Sequence, residues 1–112
     1  VIYGDGEQTR DFVHVEDLVR ANLICLEKGD NRHYNLGTGE ETTINELYAL
    51  LREESGVDIE VQYADERRGE MRRLSLDSAR AAGDLGWRPT VGLRRGVQTV
   101  LDFLKENTNG IV

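Results

Sequence analysis

The densest cluster of positive charge in this 112-residue sequence lies in a polar stretch, residues 64–73, which we call the arginine loop. Four of the chain's 14 basic side chains fall within seven residues there: Arg67, Arg68, Arg72 and Arg73. The planar guanidinium group pairs bidentately with phosphate oxygens, so the cluster could bind an anion by focusing positive charge locally. Glu66 and Glu70 are interleaved with the arginines, and on charge alone a solvated loop that pairs with itself is the favoured alternative.

A second polar segment precedes a stretch of β-favouring residues and contains Arg10. Its guanidinium would be available to an anion, although the neighbouring Asp11 could equally form an ordinary ion pair with it, worth little energy. The segment alone does not decide between the two.

Gly37-Thr38-Gly39 follows a short apolar run and precedes a helix, as the glycine loop of a dinucleotide site does. The third glycine of that fingerprint is missing, because position 42 is threonine. An acidic residue about 20 positions further on is also expected, and Glu60 lies in the middle of an alternating segment. We therefore predict an ordinary glycine turn, with Thr43 capping the helix that follows.

Catalytic constellations are not evident in the sequence. Each of the four tyrosines lacks a lysine four residues later, a pair that could start hydride chemistry; the residues at that offset are Glu7, Thr38, Arg52 and Arg67. His14 and His33 have no metal-like spacing, and the single cysteine, Cys25, lies in an apolar run. The residues thus predict no catalytic, cofactor or metal ligand.

The composition bounds the class of protein. A length of 112 residues suits one domain, and a net charge of −7 argues against nucleic-acid or anionic-membrane binding. No apolar stretch approaches the roughly 20 residues of a membrane span. One cysteine cannot form an intrachain disulfide, which favours a reducing, cytoplasmic setting.

The elements that must position the arginines alternate along the chain. Helical spacing of apolar residues predicts helices over residues 16–28, 43–54 and 93–105, with a shorter one ending at Leu85. β-Favouring residues predict a short strand or extended loop over residues 11–15 and short strands over 33–36 and 74–76, and strict alternation makes 57–63 the clearest strand. The class is therefore α/β, with part of a parallel sheet. The start without methionine suggests the middle of a longer polypeptide.

Five ordered motifs resemble the extended short-chain dehydrogenases/reductases, the NAD-dependent nucleotide-sugar epimerases and dehydratases. They are Tyr3–Asp17 (YGDGEQTRDFVHVED), Tyr34–Gly39 (YNLGTG), Arg67–Glu70 (RRGE), Leu76–Pro89 (LDSARAAGDLGWRP) and the Gly96–Phe103 helix. Order and spacing match over essentially the whole chain, and the similarity is greatest to the UDP-glucose 4-epimerase-like members.

The resemblance implies that residues 1–112 are the C-terminal, substrate-binding part of such an enzyme: a partial Rossmann-like sheet with a small α/β subdomain. It implies that NAD and the catalytic Tyr-x-x-x-Lys pair belong to an N-terminal half not found here, so this chain alone would not turn over. Arg10 and Arg67 would grip the diphosphate of a UDP-sugar, Glu70 would accept hydrogen bonds from the ribose, and Phe12 would lie by the nucleoside.

Two alternatives stay open: part of a sugar-nucleotide 4,6-dehydratase, and a non-catalytic interaction module on the same fold. Dehydratases usually have histidine-aspartate after the loop glycine, where this chain has Glu70-Met71. Without the other half, an unpaired sheet edge and apolar helix faces should remain exposed, so we also expect self-association.

Overall fold

Residues 1–108 are described by a computed structural model of the chain. Four helices alternate with short strands, which makes the chain α/β as predicted. The elements in chain order are β1 (Ile2–Tyr3), β2 (Thr9–Arg10), α1 (Val15–Cys25), β3 (Thr42–Thr43), α2 (Ile44–Ser55), β4 (Tyr63–Ala64), α3 (Ala79–Leu85) and α4 (Leu93–Asn107).

Two small ladders connect distant parts of the sequence. β1 pairs with β4 in parallel, with Ile2 opposite Tyr63 and Tyr3 opposite Ala64. β2 pairs with β3 antiparallel, with Thr9 opposite Thr43. The first ten residues are therefore bonded to both the middle and the second half of the chain.

Helix α2 begins and ends where local signals predict. The Thr43 hydroxyl accepts from the Glu46 amide and the Glu46 carboxylate accepts from the Thr43 amide, the reciprocal capping box read from the sequence. Gly56 ends α2 in a left-handed conformation, φ 68°. α1 is shorter than predicted and ends at Cys25 rather than residue 28.

Few of the predicted strands pair within residues 1–108, and residues 11–14 are a loop, the alternative given for segment 11–15. Segments 11–15, 33–36 and 74–76 form no ladder, and of 57–63 only Tyr63 belongs to a strand. A strand needs a neighbouring backbone to pair with, and alternation cannot supply one. The alternation of 33–36 is nevertheless real, because Tyr34 and Leu36 pack against the core while His33 and Asn35 are exposed.

The core lies where α1, α3 and the turn after α3 meet. Its buried members are Ala21, Ala81, Leu85 and Trp87. The Trp87 indole N–H donates to the Asp17 carbonyl at 2.8 Å, which satisfies its polar atom inside the core. Within residues 1–108, no helix has the length and apolar character that crossing a membrane requires.

Candidate functional site

The first wall of the candidate site is the tight turn between β1 and β2. Gly4 and Gly6 have φ values of 83° and 78°, a region that side chains rarely adopt. The Asp5 carboxylate accepts from the Glu7 amide at 2.9 Å inside this turn. The Asn45 side-chain amide donates to the Asp5 carbonyl at 3.0 Å, which fixes the turn against the start of α2.

The arginine loop forms the second wall and is held at both ends by the first ten residues. At its start, β4 pairs with β1. At its end, the Thr9 amide donates to the Arg72 carbonyl at 2.9 Å, and Arg10 Nη1 donates to the Met71 carbonyl at 2.8 Å. Residues that are about 60 positions apart in sequence therefore form one structural unit.

Arg10 and Glu70 are brought together within this unit. Arg10 Nη2 lies 3.1 Å from Glu70 Oε1, and both side chains are one-quarter exposed. The Glu70 amide donates to the Arg67 carbonyl at 3.4 Å, so Arg67 and Glu70 share one turn of the loop. Three of the four predicted binding residues are thus connected, Arg10 to Glu70 through side chains and Glu70 to Arg67 through the backbone.

The Arg67 guanidinium rests on an aromatic ring. Its Cζ lies 3.9 Å from the centroid of the Tyr3 ring, a cation–π contact. No carboxylate lies within ion-pair distance of Arg67 among residues 1–108. Its charge is therefore open to an anion. Sequence reasoning missed Tyr3, because an aromatic residue beside a glycine turn carries no charge signal.

Arg72 and Arg73 are neutralised by carboxylates outside the loop. Arg72 pairs bidentately with Asp5 at 2.8 and 2.9 Å, and Arg73 pairs with Glu41 at 2.9 and 2.6 Å. These arginines hold the pKa of Asp5 and of Glu41 at about 2. Arg72 and Arg73 therefore add no open positive charge to the loop, and their partners lie outside it rather than within it as self-pairing of the loop would require.

A small cavity separates the two walls. It measures about 130 Å³ and is lined on one side by Tyr3–Asp5 and Gln8, and on the other by Glu66 and Glu70–Arg72. Small-molecule sites usually enclose roughly 300–1,000 Å³. The cavity is therefore smaller than a typical small-molecule site and opens onto the exposed surface of the loop.

Phe12 lies elsewhere. It lines an apolar groove of about 320 Å³ together with His14, Leu47 and Val97, and neither predicted arginine nor Glu70 lines that groove. His14 Nδ1 accepts from the Glu16 amide at 3.1 Å and caps α1. The structure thus does not bring Phe12 together with the other three predicted residues.

The glycine turn at residues 37–39 is filled by a carboxylate of the chain itself. Asp11 accepts from the Thr38 amide at 2.9 Å and the Gly39 amide at 2.9 Å, while the Gly37 amide donates to Ser78 Oγ at 2.8 Å. Burial opposes ionisation of the Asp11 carboxyl. The hydrogen bonds that it accepts from the Thr38 and Gly39 amides, the Thr38 hydroxyl and the Leu76 amide outweigh burial and lower its pKa. The turn has no free amides for a dinucleotide phosphate, so NAD does not fit it. Asp11 is thus occupied away from Arg10, and the suggested pair between them does not form.

The chain is similar to known proteins over nearly its whole length. Residues 1–100 match the family model described as GDP-mannose 4,6 dehydratase. The solved UDP-glucose 4-epimerase of Thermotoga maritima, crystallised with UDP-glucose, superposes with a TM-score of 0.92 at 45% identity, over 96% of this chain and 35% of that one.

Sequence relatives include both epimerases and dehydratases. A protein of Methanocaldococcus jannaschii with the provisional name UDP-glucose 4-epimerase is 43% identical over 107 residues, 96% of this chain and 34% of the relative. The dTDP-glucose 4,6-dehydratase of an Actinoplanes species is 35% identical over 108 residues, 95% of this chain and 34% of the relative. The chain thus spans about a third of the length of these relatives. It belongs to the NAD-dependent nucleotide-sugar epimerase and dehydratase family.

Proposed function

We propose that this chain is the C-terminal part of a cytoplasmic, NAD-dependent UDP-sugar 4-epimerase and that it binds the nucleotide-diphosphate end of the substrate. Alone it would bind without turning over. Binding energy from the remote nucleotide would hold the hexose in place for chemistry carried out by the rest of the enzyme.

The proposed roles follow the two walls of the site. Arg67 and Arg10 bind the diphosphate, since guanidinium groups donate to phosphate oxygens and both residues contact Glu70, Arg10 through its side chain and Arg67 through its backbone. Glu70 beside Arg10 accepts from the ribose hydroxyls. A role for Phe12 beside the nucleoside rests on family resemblance alone, because its side chain lines the separate apolar groove.

The observation that carries the proposal is the open charge of Arg67. Arg72 and Arg73 are each neutralised by a carboxylate, whereas Arg67 is exposed and its guanidinium lies over the Tyr3 ring. A guanidinium that is held in place but not neutralised is suited to receiving phosphate oxygens.

The proposal is tested by isothermal titration of the chain with UDP. Arg67→Ala should weaken binding roughly tenfold or more, because a charge-assisted hydrogen bond contributes about 1.5–3 kcal/mol. Arg68→Ala is the matched control, since it removes the same charge from the adjacent position; its affinity should stay within about twofold of the native value. Equal losses in both variants would indicate attraction by net charge only and contradict the proposed site.

Two alternatives are separated by the ligand. A dehydratase part is supported by the Actinoplanes relative and would prefer dTDP over UDP. Glu70-Met71, in place of the histidine-aspartate usual in dehydratases, favours the epimerase. A non-catalytic interaction module would show affinity for neither nucleotide.

A further inference from the structure

The bidentate pair of Arg72 and Asp5 joins the two walls of the candidate site. Neither residue is among those proposed to bind the nucleotide. Both oxygens of Asp5 are used, at 2.8 and 2.9 Å from the two terminal nitrogens of Arg72. Oδ1 also accepts from the Glu7 amide, and the Arg72 carbonyl accepts from the Thr9 amide. Arg72 is thus tied to the turn by its side chain and its backbone.

This pair lies directly beside the residues proposed to bind. Asp5 comes two residues after Tyr3, whose ring contacts the Arg67 guanidinium. Arg72 comes directly after Glu70 and Met71, both of which Arg10 contacts. Between these anchors the loop has few other attachments: the Glu66 side chain lies beside Gly4, and the Glu70 amide makes a long bond to Arg67. The Asp5–Arg72 pair is therefore one of the contacts that set the position of Arg67 relative to Arg10, together with the Arg67–Tyr3 and Arg10–Glu70 contacts.

We propose that Asp5 and Arg72 form a positioning pair that holds the loop of Arg67 and Glu70 in the arrangement that receives the diphosphate. The inference rests on the proposed function, although its first consequence, an ordered loop, needs no ligand. Neither residue contacts the nucleotide in this account. The pair acts by lowering the entropy that the loop must lose when a ligand binds.

The chain contains a matched control for this idea. Arg73, the next residue and the last of the loop, makes a second bidentate pair, with Glu41. The Arg73 side chain of this pair is also exposed. Glu41 directly precedes β3, so the pair joins the loop to β3 rather than to the turn between β1 and β2. Removing it deletes the same kind of interaction one residue away without touching the Tyr3–Asp5 wall.

The test compares Arg72→Gln with Arg73→Gln by two measurements on the full 112-residue chain. Arg72→Gln should speed amide hydrogen exchange of residues 66–71 about fivefold and weaken UDP binding about fivefold, the effect expected from an exposed pair with good geometry. Arg73→Gln should leave exchange at 66–71 and UDP affinity within about twofold of the native values, even if both variants lower the melting temperature equally.

Asp5→Asn provides a second route if Arg72→Gln does not fold, because asparagine keeps the shape and can still accept from the Glu7 amide. The double variant Asp5→Asn with Arg72→Gln should be no weaker in UDP binding than either single variant, since both remove one interaction. The inference is overturned if the exchange rates at 66–71 are unchanged, or if Arg73→Gln raises them equally. A native chain that binds no UDP would contradict the proposed function, while the exchange rates would still decide whether the pair orders the loop.

Discussion

Arg10 Nη2 and Glu70 Oε1 lie 3.1 Å apart although 60 residues separate them in the chain. The same guanidinium also donates to the Thr9 and Met71 carbonyls through Nη1. Arg10 thus fixes the arginine loop while keeping part of its donor capacity for a ligand. Glu70 has the opposite effect, because it partly neutralises a charge that we propose to bind phosphate.

Glu70→Ala separates these two effects. UDP binding should weaken about fivefold, because a ribose acceptor is lost. Binding of pyrophosphate, which has no ribose, should stay equal or improve, since Arg10 loses a competing carboxylate. Calorimetric titration with both ligands measures this, with Glu66→Ala as the control for loop charge. A matched loss of pyrophosphate binding would mean that Glu70 serves only to orient Arg10.

Acid should destabilise the fold through three carboxylates. Arg72 lowers the pKa of Asp5 from 3.8 to about 2, and Arg73 lowers that of Glu41 from 4.5 to about 2. Burial opposes ionisation of Asp17, but bonds from the Val91 and Thr90 amides, the Thr90 hydroxyl and Arg20 outweigh it, so its pKa is also about 2.

Each folded pKa lies below the unfolded value, so the native state binds fewer protons than the unfolded state. The stability that these carboxylates contribute is therefore present above about pH 5 and is lost as pH falls towards 2. Asp17 is almost fully buried, and its share corresponds to about 2 kcal/mol. Urea unfolding between pH 7 and pH 2 should show this decline, and Asp17→Asn should flatten it. The same slope in Asp17→Asn as in the native chain would contradict this assignment.

Gly6→Ala should damage the turn of the candidate site. An alanine Cβ would lie 2.0 Å from Asn45 Oδ1, in addition to the cost of φ 78°. Gly56→Ala is the control, with φ 68° and no atom within 4 Å of the added carbon. We expect about 1 kcal/mol of destabilisation at Gly56 from backbone conformation, and at least twice that at Gly6. Urea unfolding compares them, and equal losses would mean that Asn45 moves aside freely.

The outer face of α1 should drive self-association. Val15, Val19, Leu23 and Leu26 are between 50% and 80% exposed and follow one another at helical spacing. Apolar side chains grouped in this way favour contact with another copy. Light scattering should show a mass that rises with concentration, and Val19→Glu with Leu23→Glu should give a monomer. A native chain that stays monomeric at high concentration would refute this expectation.

Local signals explain which elements could be predicted. The Thr43–Glu46 box and Gly56 define α2 through contacts within a few residues, so reading them needed no knowledge of the fold. Residues 57–63 alternate just as a strand does, yet only Tyr63 pairs, because pairing depends on where β1 lies. Strand partners are a property of the whole chain, and the sequence of one segment does not contain them.

The candidate site shows the same division. A charge count found the arginine loop, but it could not tell that Arg72 and Arg73 have carboxylate partners 67 and 32 residues away while Arg67 has an aromatic one. Family resemblance assigned Arg10 and Glu70 to one site, and the structure shows them in contact, although their roles toward a ligand stay predictions. Phe12 shows the limit of that resemblance, because the Phe12 side chain lines a different groove.

The anchoring of the arginine loop on the first ten residues also bears on folding. Joining segments about 60 residues apart costs chain entropy that contacts within either segment cannot offset, so neither wall should acquire its shape early. Any ligand that requires both walls would then bind only the fully folded chain. Its occupancy would raise the melting temperature by mass action, so thermal shift would report binding to the folded state alone.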